Sequence, residues 1–286
     1  MQIAENVCLK PYTTIGCGGK ARFFTEVHQK EHMQAAFEFC SREKLSFFML
    51  GKGSNTIFDD QGFSGLVILN KMQKISWDDQ MVTVDSGYAF SHLGVVAAKK
   101  NLSGLEFAAG IPASVGGAIY MNAGASGQQT QDCLHKVLFM HSTGQIEEFS
   151  QPACRFGYRQ SIFQRLQGCI LSAQFCLTAC DKARLRQLEI ISYRTKSQPY
   201  GDKSAGCFFK NPKEKPAGAL IEEAGLKGFA IGGAKVSLLH GNFIINDKDA
   251  TSQDLFDLAA YVQQQVFEKK GIQLELEVRK ISCKEG

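Results

Sequence analysis

Apolar positions along the first hundred residues switch between two periods. Within 29–44, Met33, Ala36, Phe37 and Cys40 recur at the spacing of one helix face. Continuous apolar runs at 47–50 and 66–69 predict buried strands, the second following the turn-rich Asp59-Asp60-Gln61-Gly62. Residues 81–84 predict a strand ending at Asp85-Ser86-Gly87, and 91–100, with Leu93, Val95, Val96 and Ala97, a helix. The stretch 104–127 is dense in Gly and Ala and keeps no period, so it predicts loops and short helix starts. Strands are predicted at 137–140 and 169–177, and a helix at 185–196.

The last third reads more sharply. Residues 217–224 predict a short helix stopped by Gly225, and 243–245 a strand. Residues 251–270 predict a long helix: Thr251 and Asp254 form a capping box, and Leu255, Leu258, Ala259, Val262 and Val266 make one stripe. After Gly271, Ile272, Leu274, Leu276 and Val278 alternate with Gln273, Glu275, Glu277 and Arg279, which predicts a strand with one polar face. The turn cluster Ser197-Gln198-Pro199-Tyr200-Gly201 predicts a domain boundary near Lys196. Helices between strands predict the α+β class.

A chain of 286 residues forms about two domains or one large one. With 44% hydrophobic and 21% charged residues it is a packed globular protein, which excludes disordered and fibrous classes. The net charge of +4 suits an anionic small molecule and lacks the dense basic stripe of a nucleic-acid binder. The ten cysteines contain no Cys-x-x-Cys pair and no zinc-ligand spacing, so free thiols in a reducing compartment and no metal are expected. Residues 1–10 lack a basic segment followed by an apolar one, and the apolar stretch 169–180 is too short and too polar to span a bilayer. A cytoplasmic protein without a membrane partner is expected.

Two glycine loops carry candidate chemistry. Gly51-Lys52-Gly53-Ser54-Asn55-Thr56 follows an apolar strand, where glycine permits close approach and successive N–H groups form an anion nest. It is not a phosphate loop of the Gly-Lys-Ser/Thr type, and Thr56 stands where a dinucleotide fingerprint needs its third glycine. The second loop runs from Ala109 through Gly110, Ile111, Pro112, Ser114, Gly116 and Gly117 to Ala118, with Met121-Asn122-Ala123-Gly124 after it. Together they point to a pyrophosphate-bearing cofactor. Taken alone, a tight strand turn and close packing through Gly and Ala explain them equally well.

Six segments in order resemble the UDP-N-acetylenolpyruvoylglucosamine reductase family. They are Tyr12-Thr13-Thr14-Ile15-Gly16, Gly51-Lys52-Gly53-Ser54-Asn55, Gly110 to Ala118, Gly157-Tyr158-Arg159-Gln160-Ser161, Ser204 to Pro212, and Leu274 to Arg279. The resemblance implies a three-lobed α+β flavoenzyme, with the FAD-binding fold of the vanillyl-alcohol-oxidase class and a C-terminal substrate-binding α+β lobe. It implies FAD-binding lobes at 1–68 with 271–286 and at 69–196, and a substrate lobe at 197–270. The implied reaction is a step of peptidoglycan precursor synthesis, reducing the enolpyruvyl group of a UDP-sugar to a lactyl ether. In it hydride passes from NADPH to flavin N5 and then to substrate C3. The short interval between Arg159 and Cys207 resembles the subtype without an extra tyrosine loop, and a monomer is expected.

Reducing an enol ether conjugated to a carboxylate needs a charge stabiliser and an acid that protonates C2. The resemblance places these at Arg159, whose guanidinium fork fits a carboxylate, at Glu277, and at Cys207, which stands where the family has a serine. A free thiol titrates near about 8.5, so it is mostly protonated at neutral pH and can donate. The resemblance also implies cofactor contacts from Gly51, Lys52, Gly53, Ser54, Asn55, Thr56, Gly110, Ile111, Pro112, Ser114, Gly116, Gly117, Ala118 and Asn122. Substrate contacts are implied for Tyr158, Lys210, Asn211 and His240. A flavin oxidase of the same fold class and a non-catalytic nucleotide binder are the competing readings, and the Arg159, Cys207 and Glu277 set favours the reductase.

Overall fold

The computed structural model describes residues 1–283. The chain divides into two compact units. One comprises Met1–Ile3, Thr25–Lys52 and Val67–Arg194; the other comprises Ala4–Phe24, Gly53–Leu66 and the chain from Thr195 onward.

The first unit is built on a five-stranded antiparallel sheet in the order Ile146–Ser150, Leu134–His141, Gly168–Cys176, Met81–Asp85, Ile75–Asp78. Helices α1 (Lys30–Glu43), α2 (Phe90–Lys99) and α3 (Val115–Tyr120) belong to it, as does α4 (Ala183–Ser197) up to Arg194. Helix α1 buries Met33, Ala36, Phe37 and Cys40, the face read from their spacing. Val82, Val84, Phe90, Leu93, Val137 and Phe175 share one buried core, so sheet and α2 remove their apolar sides from water together. Between α2 and the sheet's later strands lies the Gly/Ala-rich stretch, whose one clear helix is the six-residue α3.

The second unit holds a four-stranded antiparallel sheet in the order Ser204–Cys207, Phe243–Asn246, Ala234–Val236, Ala230–Ile231. Helices α5 (Ala217–Glu223) and α6 (Ser252–Lys270) share its core, with Leu220, Leu255, Leu258 and Val262 buried beside Phe208 and Phe209. The capping box at Thr251 and Asp254 forms with both hydrogen bonds at 3.0 Å. Asp60 adds a second anion there, accepting from Ser252 N at 3.0 Å and Ser252 Oγ at 2.8 Å. Gly271 ends α6 at φ +69°.

The strand expected over 272–279 forms only at its end. Arg279–Ile281 pairs in parallel with Thr56–Phe58. The preceding residues keep the alternation, with Leu274 and Val278 buried and Glu275 exposed, but they reach 208–210 through separate bonds. Lys210 N donates to Glu275 O and Glu277 N to Phe208 O, at 2.8 and 2.9 Å. The stretch expected as one lobe, 1–68 with 271–286, is shared between the two units. Ile15, Cys17, Ile57, Leu274 and Val278 lie in the same apolar core as α5 and α6, whereas Met33 and Phe37 sit in the first unit. Residues 284–286 of that stretch lie outside the described residues. The expected boundary at 196/197 falls two residues from the break after Arg194.

Candidate active site

The first glycine loop leaves the strand Phe47–Leu50. Gly53 adopts φ +62°, and a Cβ on it would lie 2.2 Å from Tyr12 O, so no other residue fits there. A Cβ on Gly51 would lie 2.3 Å from Ser114 Oγ. Among the described residues, the N–H groups of residues 52–55 donate to no protein acceptor. Consecutive unspent donors on a glycine turn are what a pyrophosphate demands, so this loop fits the phosphates of a dinucleotide cofactor. The Asn55 side chain donates from Nδ2 to Glu277 O at 3.2 Å, and Thr56 is buried in the pairing with Arg279.

The second loop is largely closed on itself. Gly110 turns the chain at φ +86°, and Ile111 N donates to Ala108 O. Ser114 caps α3, its Oγ accepting from Gly117 N at 3.2 Å, while Ala118 N donates to Ser114 O. Gly116 N donates to Ser86 O, and a Cβ there would lie 2.9 Å from Ser86 Cβ. Pro112 carries no N–H and is exposed. Close packing through Gly and Ala is therefore real at Gly116. Asn122, expected among the cofactor contacts, is instead fully buried at φ +43°, and its side-chain amide is taken up by protein groups, donating to Gln129 Oε1 and Gly157 O and accepting from Gln131 N.

Arg159 and Tyr158 form the tip of a tight turn in which Gly157 and Gln160 exchange N–H···O bonds at 3.1 Å. Arg159 sits at φ +58°, a left-handed conformation rare for a side chain of its size. Its guanidinium lies 4.9 Å from the centre of the exposed Tyr158 ring, and Nη2 is 3.4 Å from Gly124 O.

In the second unit, three distant stretches of sequence converge. Cys207, half-buried, ends a strand and faces Phe243 across the sheet. The next residue, Phe208, accepts Glu277 N, and Asn55 holds the carbonyl of that same Glu277. Thr14, given no role in the sequence reading, ties the cluster together: its N donates to Gly53 O at 3.1 Å and its Oγ1 to Ser204 O at 2.6 Å. Asn242 is the residue that sequence reasoning missed. It is 1% exposed, its Oδ1 accepts from Phe209 N, its Nδ2 donates to Phe209 O, and its own O accepts from Phe208 N. A polar residue directly before the apolar strand Phe243–Asn246 was the available signal.

The residues implied on the substrate side have protein partners. Lys210 Nζ lies 3.1 Å from Glu275 Oε2, and Asn211 Oδ1 accepts from Ala217 N at the start of α5. His240 Nδ1 accepts from Asn242 N at 3.2 Å, and its ring packs edge-on against Phe243. Burial, with Lys227 adding to it, holds the His240 pKa below the usual imidazole value, so the neutral ring is the form present at neutral pH. Among the described residues, no group of His, Cys, Asp and Glu could hold a metal, and no helix is long and apolar enough to cross a membrane.

Comparison with known proteins bears on these features together. Residues 21–150 match the family model of an FAD-binding domain, and residues 198–281 that of the UDP-N-acetylenolpyruvoylglucosamine reductase C-terminal domain. The chain is 50% identical over 279 residues to the UDP-N-acetylenolpyruvoylglucosamine reductase of Protochlamydia amoebophila, covering 97% of this chain and 93% of that one. It is 41% identical to the reductase of Chlamydia felis over 278 residues, covering 97% and 94%. The crystal structure of UDP-N-acetylenolpyruvylglucosamine reductase from Thermus caldophilus matches it with a TM-score of 0.83 at 35% identity, over 98% of each chain. The chain thus belongs to the UDP-N-acetylenolpyruvoylglucosamine reductase family, α+β FAD-containing oxidoreductases of peptidoglycan precursor synthesis.

Proposed function

We propose that this chain reduces the enolpyruvyl group of UDP-N-acetylglucosamine enolpyruvate with NADPH, giving UDP-N-acetylmuramate. The observation that carries the reading is the convergence of Cys207-Phe208, Glu277 and Asn55 through the bonds Glu277 N to Phe208 O and Asn55 Nδ2 to Glu277 O. When bound, FAD supplies hydride chemistry, relaying two electrons from NADPH to C3 of the substrate. Gly51, Lys52, Gly53, Ser54, Asn55 and Thr56 hold its pyrophosphate, with support from the loop of Gly110, Ile111, Pro112, Ser114, Gly116, Gly117 and Ala118. The unspent N–H groups of residues 52–55 support that role.

As hydride reaches C3, negative charge grows on the substrate carboxylate. Arg159 offsets it with a planar fork of N–H donors that matches the two oxygens of a carboxylate. The Cys207 thiol gives its proton to C2, the new C–H bond forms, and the resulting thiolate regains a proton from solvent. Glu277 steadies the enolate-like state from the neighbouring stretch. Tyr158, Lys210, Asn211 and His240 complete the contacts to the UDP-sugar, and residues 197–270 form the substrate lobe.

Visible absorption of the purified protein tests this directly. Flavin bands that bleach with anaerobic NADPH and return on adding the enolpyruvyl sugar nucleotide are expected. Absence of flavin after incubation with FAD overturns the reading. We also infer a cytoplasmic monomer. Ten free cysteines support the reducing compartment. Cell fractionation and light scattering test the two parts, and a dimeric mass overturns the second.

A further inference from the structure

We propose that Asn122 and Gln164 are positioning residues that clamp the Arg159 turn; the proposal rests on the reading of Arg159 given above. The two carbonyls that bracket the Arg159 side chain are both held from outside the turn. Asn122 Nδ2 donates to Gly157 O at 3.0 Å. Gln164 Nε2 donates to Arg159 O at 3.0 Å and, with its second hydrogen, to Tyr120 O at 2.9 Å. Ser161 Oγ donates to the same Tyr120 O at 2.7 Å. Both clamps are therefore anchored in residues 120–122, directly after α3.

The anchor itself is rigid. Asn122 is 0% exposed and left-handed, and its remaining capacity is used on Gln129 Oε1 and Gln131 N at 2.9 and 3.1 Å. A carbonyl held in place fixes its peptide plane; Gly157 O belongs to the plane that enters the turn and Arg159 O to the plane directly after Arg159, so the two together limit the dihedrals of Tyr158 and Arg159 between them. A large side chain stays at φ +58° only where the surroundings over-determine it. A guanidinium fork must meet a carboxylate within a few tenths of an ångström, and misplacement of about 1 Å can cost on the order of 100-fold in rate. Asn122 thus acts on the reaction through Arg159, its amide being spent on protein groups.

The test uses flavin-loaded enzyme and three variants. Gln164 is exposed, so Gln164→Ala is the safe one; Asn122→Gly keeps the left-handed backbone; Arg159→Gly is the reference. Each is measured for FAD affinity, for flavin reduction by NADPH, and for flavin reoxidation by the enolpyruvyl substrate under rapid mixing. Gln164→Ala and Asn122→Gly are expected to leave the first two within about twofold and to slow reoxidation roughly tenfold or more. Hydrogen exchange in the peptide spanning 155–165 is expected to quicken in both. In the Arg159→Gly background, Gln164→Ala is expected to slow reoxidation no further, because the group it positions is gone.

Normal reoxidation in either Gln164→Ala or Asn122→Gly, with slowed reoxidation in Arg159→Gly, overturns the clamp alone. Additive slowing in the double variant, or weaker FAD binding in Asn122→Gly, also overturns it, since both betray a general structural or cofactor role. Normal reoxidation in Arg159→Gly itself overturns the reading of Arg159 on which the clamp rests.

Discussion

Replacing Arg159 with glycine separates catalysis from stability, because the two respond to different features of one residue. At φ +58° a non-glycine side chain costs about 1–2 kcal/mol against the right-handed region, and glycine removes that cost. Against this stands the contact with Tyr158 at 4.9 Å, which at an exposed site contributes about 0.5–1 kcal/mol. Glycine also widens the unfolded ensemble by about 0.5–1 kcal/mol. The Nη2 to Gly124 O contact at 3.4 Å is long and contributes little. These contributions cancel to within about 1 kcal/mol, so the melting temperature should move by no more than about 4 °C in either direction. On the role proposed for Arg159, catalysis loses its charge stabiliser outright, and deletion of one preorganised donor typically costs about 10²–10³ in rate. Differential scanning fluorimetry and rapid-mixing reoxidation of NADPH-reduced enzyme read the two quantities on one sample. Arg159→Lys keeps the charge but loses the fork and should fall between. Reoxidation within about fivefold of the parent would refute the catalytic role, that being far below the loss expected for a preorganised donor. A melting temperature lowered by more than about 8 °C would instead show that the turn depends on the arginine for its fold.

Further expectations follow from other parts of the site. Cys207→Ala should retain flavin reduction by NADPH yet stall product formation, while Cys207→Ser should retain turnover; normal substrate-driven reoxidation in the alanine variant removes Cys207 as the acid. Gly53→Ala, with its methyl 2.2 Å from Tyr12 O and φ at +62°, should be purified with little or no flavin, and full flavin content in that variant contradicts the pyrophosphate loop. Burial raises the Cys17 thiol to about 12, Asp60 adding to it, the Cys154 thiol to about 12 and the Cys40 thiol to about 11, and raises Cys133 and Cys169 as well. Brief alkylation of native protein at pH 8 should therefore spare these five in a peptide mass map, and labelling of any of them before unfolding counts against this packing. His240 has a lowered folded pKa, so the unfolded chain binds the proton more tightly; its contribution is fully present above the unfolded value of 6.5 and is lost as pH falls through 6.5 toward the folded value. Denaturant unfolding at pH 7 and pH 5 should show a smaller acid loss in His240→Gln than in the parent, and equal losses dismiss the effect.

Much of the fold could be read because the signals were local. A helix face such as Met33, Ala36, Phe37 and Cys40, or the stripe of α6 with its Thr251–Asp254 box, needs only neighbours four residues away to declare itself. The stretch 272–279 misled for the same reason. Its alternation reports which side is buried, and Leu274 and Val278 are buried as it says. Alternation is silent on what the backbone pairs with, and here the partners of 275 and 277 are single groups on Lys210 and Phe208. The joining of the chain's start to its last third was equally out of reach, since Ile15, Cys17 and Ile57 share a core otherwise formed after residue 200. Such long-range closure leaves no periodic trace.

The site divides along a different line. Cys207, Glu277 and Asn55 are separated by 70 or more residues in each pair, and what joins them is Glu277 N donating to Phe208 O and the Asn55 side chain donating to Glu277 O, bonds in which the side chains of Cys207 and Glu277 take no part. Only the order of motifs pointed to them, and in the chain the nearest neighbours of Glu277, namely Leu276 and Val278, say nothing of its chemistry. Arg159 shows why the resemblance was needed most. By composition it is a surface arginine. What marks it is a left-handed φ without glycine, a bracketed pair of carbonyls and a buried Asn122 beneath, none of which leaves a mark in one dimension. Glycine at that tip would fold with less strain. An arginine there forgoes that relief, and the surrounding amides hold it in place, which is the pattern expected when the guanidinium itself is the reason the turn exists.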